Sequence, residues 1–237
     1  MTKLETVFLD AGGVLMFPNW VRISETLRAH GVEVSDRALA DAEPHAKRHL
    51  DQTRTIQATN DAKRGWLYFD LILERAGVAP GAATSAALAE LHDYHQASNL
   101  WEYMPADVLP SIEAIQAMGL RMVVVSNANG TVCAAADRLG ITPLVQCVLD
   151  SHTEGVEKPD PRFFEIALAR AGATRETTIH VGDMYEVDVV GARAAGIRPV
   201  LLDVAGLYPE VDCPRVRSLP DLVAAIRRGD FGSLAAS

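Results

Sequence analysis

Residues 6–15 read Thr6-Val7-Phe8-Leu9-Asp10-Ala11-Gly12-Gly13-Val14-Leu15, and this stretch best indicates the fold of the chain. Four residues with strand character lead into Asp10, and a pair of glycines follows one residue later. An apolar run that closes on a carboxylate and two glycines predicts a buried strand feeding a tight turn. Asp10 would then lie at the carboxyl end of a strand, which is where open α/β sheets bind their ligands.

After Pro105 the chain alternates between helical and extended patterns. The expected strands are Leu120–Val125, Val145–Leu149, Thr178–Val181 and Pro199–Leu202. The expected helices are Val108–Met118, Val132–Leu139, Pro161–Ala171, Asp188–Ala195 and Leu219–Arg228. Continuous apolar strands that alternate with helices predict a parallel sheet covered on both faces, and therefore an α/β fold.

The segment between the first strand and Pro105 has a different character, with helical spacing and no convincing strand. One predicted helix begins at Thr59-Asn60-Asp61 and places Trp66, Phe69 and Leu73 on one face, and another covers Thr84–Gln96. We therefore expect an all-helical insert over residues 18–101, with residues 1–17 and 102–237 forming a single core. Pro18 and Pro105 are suitable hinge points because proline fixes φ and interrupts regular structure.

Composition narrows the classes of function. The chain of 237 residues is 49% hydrophobic and carries a formal net charge of −9 with no basic run, which argues against nucleic acid or an anionic membrane as a partner. No apolar segment is long enough to cross a bilayer, and no signal-peptide pattern precedes the first strand. The three cysteines, Cys133, Cys147 and Cys213, are widely spaced and are expected to be reduced thiols, so we expect a cytoplasmic protein. Oligomeric state cannot be read from the sequence.

Polar residues stand at the ends of several predicted strands or in the loops beside them. They are Asp10, Ser126-Asn127, Lys158, and Asp183 with Asp188. All strands of a parallel sheet open to the same edge, so these groups can converge. Each has a simpler interpretation alone, such as a helix cap or an exposed loop lysine, but their joint occurrence favours an active site.

These groups fit the chemistry of phosphoryl transfer. A carboxylate that attacks a phosphate dianion meets like charge, so the site must supply positive charge. Asp10, the carbonyl of Gly12 and Asp183 are hard oxygen ligands suited to Mg²⁺. Lys158 would add a fixed positive charge, while Asp188 would orient Lys158 or a metal-bound water, or belong to the metal site itself.

Ser126 and Asn127 would donate hydrogen bonds to the oxygens of the transferring group. Asp10 would form an aspartyl-phosphate that water then hydrolyses. Lys158 would therefore serve both catalysis and substrate binding. The expected substrate is a small phosphorylated, or otherwise anionic, molecule.

The sequence resembles the haloacid dehalogenase-like hydrolase superfamily, in the branch with a helical cap inserted directly after the first motif. The resemblance is carried by Val7–Leu15, Val124–Ala128, Gly155–Phe164, and Val181-Gly182-Asp183 through Asp188 to Gly196. These four motifs occur in order and cover essentially the whole core, whereas the cap matches only in position and helicity. The resemblance implies a Rossmann-like core, a mobile cap, dependence on Mg²⁺ and, most often, phosphatase activity.

One position departs from the family's pattern. Phosphatases of the family usually carry a second aspartate two residues after the nucleophile, as general acid and base, and here that residue is Gly12. Loss of general acid–base assistance typically costs about 10²–10⁴-fold in rate. Three explanations stay open: a substrate whose leaving group needs little protonation, a cap histidine that replaces the acid (His45, His49, His92 or His95), or a weakly active protein retained for binding.

Two other chemistries of the superfamily compete with phosphatase activity as interpretations of this sequence. Dehalogenases also lack the second aspartate, because a halide leaves without a proton, but they need no metal and resemble the chain less around Asp183. Carbon–phosphorus hydrolases use a cap lysine as a Schiff base, for which Lys47 and Lys63 are the candidates here. The cap histidines carry no further ligand pattern, so solvated or core imidazoles are the simpler interpretation.

Overall fold

The computed structural model describes residues 3–52 and 61–234, except for the side chains of residues 52, 61–66 and 233–234. The strands are β1 (Lys3–Leu4), β2 (Thr6–Leu9), β3 (Phe17–Pro18), β4 (Trp101–Tyr103), β5 (Arg121–Ser126), β6 (Cys147–Asp150), β7 (Thr178–Gly182), β8 (Arg198–Leu202), β9 (Arg215–Val216) and β10 (Ser233–Leu234). The helices are α1 (Trp20–Ala29), α2 (Asp36–Gln52), α3 (Asp61–Arg75), α4 (Ala82–Ser98), α5 (Val108–Ala117), α6 (Val132–Arg138), α7 (Ser151–Glu154), α8 (Pro161–Ala171), α9 (Val190–Ala194) and α10 (Leu219–Arg228). Short 3₁₀ turns cover Thr142–Leu144 and Arg175–Thr177, and a π-helical turn covers Tyr185–Val189.

The main sheet has six strands in the order β6-β5-β2-β7-β8-β9, and neighbouring strands are parallel. This confirms the predicted α/β fold. The central strand β2 is buried along its whole length, as is β7, because each is covered on both faces. Since all the strands point the same way, the residues that follow β2, β5 and β7 emerge at one edge of the sheet.

Helices on the sheet are bounded by recognisable signals. Helix α8 is capped at its start by Asp160, whose side chain accepts the Arg162 N–H, and at its end by Gly172, in the left-handed region with φ 56°. Its inner side contributes Phe163 and Phe164 to a core cluster that also contains Phe8 of β2. The loop that precedes α8 is thereby fixed against the sheet, and this loop carries Lys158.

The chain divides into two compact units, one of residues 1–17 with 104–237 and the other Pro18–Tyr103. Among the described residues of the second unit, α1–α4 are the helices, and β4 is a short strand that pairs with β3. Within it, the Glu102 carboxylate accepts hydrogen bonds from Asn19, Arg22 and Tyr94, which ties α1, α4 and β4 together.

Some boundaries differ from the sequence-based expectation. The expected helix Asp188–Ala195 is a π-helical turn through Val189 followed by Val190–Ala194. The expected strand Val145–Leu149 begins at Cys147, after a 3₁₀ turn, and extends to Asp150. Helix α3 begins at Asp61, whereas Thr59 and Asn60 and the side chains of Lys63 and Trp66 lie outside the described residues. Within the described ranges, no helix combines the length and apolar character needed to span a bilayer.

Candidate active site

Asp10 stands at the end of β2 and opens a tight turn. Its backbone N–H donates to the Val181 carbonyl of β7 (2.9 Å), which continues the ladder of the sheet past Leu9. The chain then folds back, because the N–H groups of Leu15 and Met16 both donate to the Ala11 carbonyl. The turn requires the positive φ of 77° at Gly13, and it leaves the Asp10 side chain 13% exposed at the sheet edge.

Lys158 is fully buried, which is rare for a lysine. Its Nζ lies 2.9 Å from Asp10 Oδ1 and 2.8 Å from Asp188 Oδ1. Burial alone would lower the pKa of Lys158, but the carboxylates of Asp10 and Asp188 raise it above its ordinary value. The ammonium group is therefore charged and bridges two carboxylates.

Asn127, just after β5, holds the backbone of Lys158. The Asn127 side-chain oxygen accepts the Lys158 N–H at 2.8 Å, and its amide nitrogen donates to the Lys158 carbonyl at 2.9 Å. Ser126 is buried, and within the described part of the chain its hydroxyl makes one long contact, of 3.4 Å, to the Asn127 carbonyl. The sequence predicted that both side chains bind substrate. The structure gives the Asn127 amide a second task, which is to position the lysine.

Asp188 is held in place by three hydrogen-bond donors. Its Oδ1 accepts from Lys158 Nζ and lies 2.9 Å from His180 Nε2, while its Oδ2 accepts the Met184 N–H at 3.1 Å. The carboxyl group also packs so closely on Gly182 that a Cβ there would overlap it. Burial acts to raise the pKa of Asp188, but Lys158 and the His180 hydrogen bond outweigh burial and hold the pKa below its ordinary value.

Asp10, Asp183 and Asp188 form an acidic cluster with ligand oxygens within 4.8 Å of one another. Burial, opposed by Lys158 and reinforced by the other two carboxylates, raises the pKa of Asp10 to about 7. Three carboxyl groups around one lysine carry an excess of negative charge, and hard carboxylate oxygens are the ligands that Mg²⁺ prefers. The donor set therefore fits a divalent cation.

Two of the side chains proposed for the helical unit, His95 and Lys47, are engaged within that unit. His95 Nδ1 accepts the Leu100 N–H (3.1 Å), and burial, with a smaller effect of His92, lowers the pKa of His95 to about 4. An imidazole with this pKa is neutral near pH 7 and is a poor replacement for the missing acid. Lys47 is paired with Glu43, which also accepts the Tyr68 hydroxyl, so the amine is not the free nucleophile that a Schiff base requires.

His180 was missed by the sequence analysis. It is fully buried in β7 and contacts Asp188 at the centre of the site. A signal was present, because His180 is the one ionisable side chain in the strand Thr178-Ile179-His180-Val181-Gly182. Histidine within a strand that is buried on both faces requires a polar partner, and spacing alone did not identify that partner.

The sequence profile of the haloacid dehalogenase-like hydrolase family matches residues 4–196. The chain is 29% identical to haloacid dehalogenase-like hydrolase domain-containing protein 3 of Bos taurus, over 82% of this chain and 78% of that protein. It is 33% identical to ribulose-1,5-bisphosphate 5-phosphatase of Halopiger xanaduensis, over 63% of this chain and 62% of that protein. A putative HAD-hydrolase of Bacillus subtilis, bound to magnesium, has the same fold at a TM-score of 0.69 with 15% identity, covering 94% of this chain and 99% of that one. The chain belongs to the haloacid dehalogenase-like hydrolase family.

Proposed function

We propose that this hydrolase is a Mg²⁺-dependent phosphatase of small phosphorylated metabolites, with Asp10 as its nucleophile. The observation that carries the proposal is the burial of Lys158 between Asp10 and Asp188. These two carboxyl groups also belong, with Asp183, to the acidic cluster. A lysine and an acidic cluster at one sheet edge supply the positive charge and the cation ligands that attack on a phosphate dianion needs. A relative named as a phosphatase agrees with this assignment.

Asp10 has one carboxylate oxygen suited to attack. Its Oδ1 accepts from Lys158 Nζ and from the Ala11 N–H at 2.7 Å, whereas no hydrogen bond to Oδ2 is found among the described residues. Oδ2 would attack phosphorus, the bond to the leaving oxygen would break, and the leaving group would depart as an anion that takes up a proton from solvent water. Water would then attack the phosphoryl group and regenerate the carboxylate.

Asp10, the Gly12 carbonyl and Asp183 would hold the Mg²⁺. Both oxygens of Asp188 already accept hydrogen bonds, so we assign Asp188 to the support of Lys158 and not to direct coordination. The cation would neutralise negative charge on the phosphoryl group that is transferred. Lys158 would add a second positive charge, and Ser126 and the remaining amide hydrogen of Asn127 would bind the phosphoryl oxygens.

Because residue 12 is glycine, the second aspartate that usually donates a proton to the leaving group is absent at this position. His95 is neutral near pH 7, so it is not suited to replace that donor. We therefore favour substrates whose leaving group needs little protonation, such as acyl phosphates, and we propose that the helical unit Pro18–Tyr103 serves as the cap that selects among them. A metal-independent dehalogenase is less favoured, because it would have no use for the acidic cluster.

The test is a phosphatase assay with acetyl phosphate and p-nitrophenyl phosphate, with Mg²⁺ and with EDTA. Wild-type protein should release phosphate only with Mg²⁺, and Asp10→Asn should abolish release. Asp160→Asn is the matched control, because Asp160 caps α8 in the same loop as Lys158 and lies outside the acidic cluster. Wild-type protein that releases chloride from a haloacetate in EDTA, and no phosphate, would show the proposal to be wrong.

A further inference from the structure

His180 occupies a position where an apolar side chain would pack at a lower cost. It lies in the middle of β7, in register with Phe8 of β2 and Pro199 of β8, and has no exposed surface. The Phe164 ring meets the imidazole edge-on, with 4.9 Å between ring centroids. Burial of a polar ring costs free energy unless its nitrogen atoms are hydrogen-bonded, so its polar contacts need a reason.

Only one of the two ring nitrogens has a partner. His180 Nε2 lies 2.9 Å from Asp188 Oδ1, whereas Nδ1 is buried without a hydrogen-bond partner in the described part of the chain. The carboxylate of Asp188 can only accept, so Nε2 carries the hydrogen and Nδ1 is an unprotonated acceptor. The fold thus tolerates an unsatisfied nitrogen in order to direct one N–H at Asp188.

That N–H shares its acceptor with the catalytic lysine. Asp188 Oδ1 accepts from His180 and, at 2.8 Å, from Lys158 Nζ, which in turn lies 2.9 Å from Asp10 Oδ1. The four residues form a continuous chain of polar contacts from β7 to the proposed nucleophile. Without His180, the remaining donor to Asp188 besides the lysine would be the Met184 N–H, on the opposite oxygen.

We propose that His180 is a positioning residue, which acts through Asp188 to fix the Lys158 ammonium against Asp10. This inference rests on the proposed function, since it assigns His180 a part in the phosphatase reaction. His180 is fully buried and contacts Asp188, so it would act through Asp188 and not on the substrate itself. Its loss should therefore lower turnover by loosening the orientation of Lys158, as loss of outer-shell partners commonly does by about 10–100-fold.

The test compares two His180 variants with a packing control. His180→Leu removes the N–H, His180→Gln retains an amide N–H that reaches the position of Nε2, and Phe164→Leu loosens the same part of the core without touching the hydrogen bond. We expect kcat for p-nitrophenyl phosphate to fall at least about tenfold in His180→Leu, with a smaller change in KM, and to recover in His180→Gln. Phe164→Leu should lower Tm and leave kcat close to the wild-type value.

Three results would overturn the inference. In the first, His180→Leu has wild-type kcat and only a lowered Tm. In the second, His180→Gln is as slow as His180→Leu. In the third, ¹⁵N NMR of the wild-type imidazole shows the proton on Nδ1, a readout that needs no enzyme activity and no variant. A wild-type protein with no phosphatase activity would instead refute the proposed function, so the two failures are distinguishable.

Discussion

Replacement of Lys158 by methionine removes the ammonium group between Asp10 and Asp188 and keeps most of the side-chain volume. Lys158 is fully buried, so water cannot take its place beside the two carboxylates. Removal of one partner from a buried ion pair typically destabilises a protein by about 3–5 kcal/mol, because it leaves a buried charge without compensation. We expect a loss of that size in Lys158→Met at about pH 8 in EDTA.

The loss of stability in Lys158→Met should grow as pH rises, because of the titration of Asp10. The pKa of Asp10 is raised from 3.8 to about 7 even with Lys158 present, so the folded protein binds a proton there that the unfolded chain releases between those values. Without Lys158 this pKa rises further, and the folded state is penalised more as pH increases. Near pH 5.5 Asp10 is protonated in both proteins. The difference in stability between them then comes from Asp188, which has lost its ion pair with Lys158.

Calorimetry in EDTA at about pH 5.5 and pH 8 measures this difference, since about 1 kcal/mol corresponds to about 2–4 °C in Tm for a chain of this size. The matched control is Arg162→Met, because Arg162 lies in the same region and pairs with Asp160 while its side chain is 73% exposed. Such a surface pair is worth at most about 1 kcal/mol. A loss in Lys158→Met no larger than the control, or one that fails to grow with pH, would refute the reasoning.

Three further predictions concern the same sheet edge. Mg²⁺ should raise Tm more at about pH 8 than at about pH 5.5, because a proton on Asp10, with its pKa of about 7, competes with the cation; equal shifts in calorimetry would contradict this. Gly12→Asp should increase turnover of alkyl phosphates by up to about 10²-fold and that of acetyl phosphate little, since a proton donor helps only poor leaving groups; φ is positive at Gly13 and not at Gly12, so the backbone accepts the change. Gly182→Ala should abolish phosphate release, because its Cβ would displace the Asp188 carboxyl group, whereas Gly81→Ala, which meets no atom within 4 Å, should be active in the same assay.

The features predicted correctly from the sequence are those encoded by local patterns. Asp10 follows the continuous apolar run of β2, Asp183 follows β7, whose apolar run is interrupted by His180, and helix Leu219–Arg228 has the expected bounds because Ser218 caps its start and Gly229, in the left-handed region, ends it. The sequence also predicts that the polar groups after the strands lie close together, because all strands of a parallel sheet end at the same edge. Lys158 was placed beside Asp10 on that basis, and the structure gives 2.9 Å between the two charged groups.

The features that were missed depend on contacts between residues far apart in the chain. Asn127 clamps the backbone of Lys158, 31 residues away, and no local pattern distinguishes this amide from one that binds substrate. Strands β9 and β10 have two residues each, too few to show any periodicity. The π-helical turn at 185–189 places Asp188 under Gly182, a register that a regular helix from Asp188 onward does not predict.

The charge balance at the sheet edge links stability to chemistry. Asp10, Asp183 and Asp188 face one buried lysine, so full ionisation leaves two negative charges in excess, and a phosphate dianion would add two more. Burial and, to a smaller extent, the charges of Asp188 and Asp183 raise the pKa of Asp10 to about 7, so that without a cation the proposed nucleophile takes up a proton below that pH. A protonated carboxyl group cannot attack phosphorus, so relief by proton uptake and catalysis are incompatible at this site. A divalent cation relieves the same excess while leaving Asp10 ionised, and for this reason the geometry favours Mg²⁺ as a requirement for attack and not only as an aid to substrate binding.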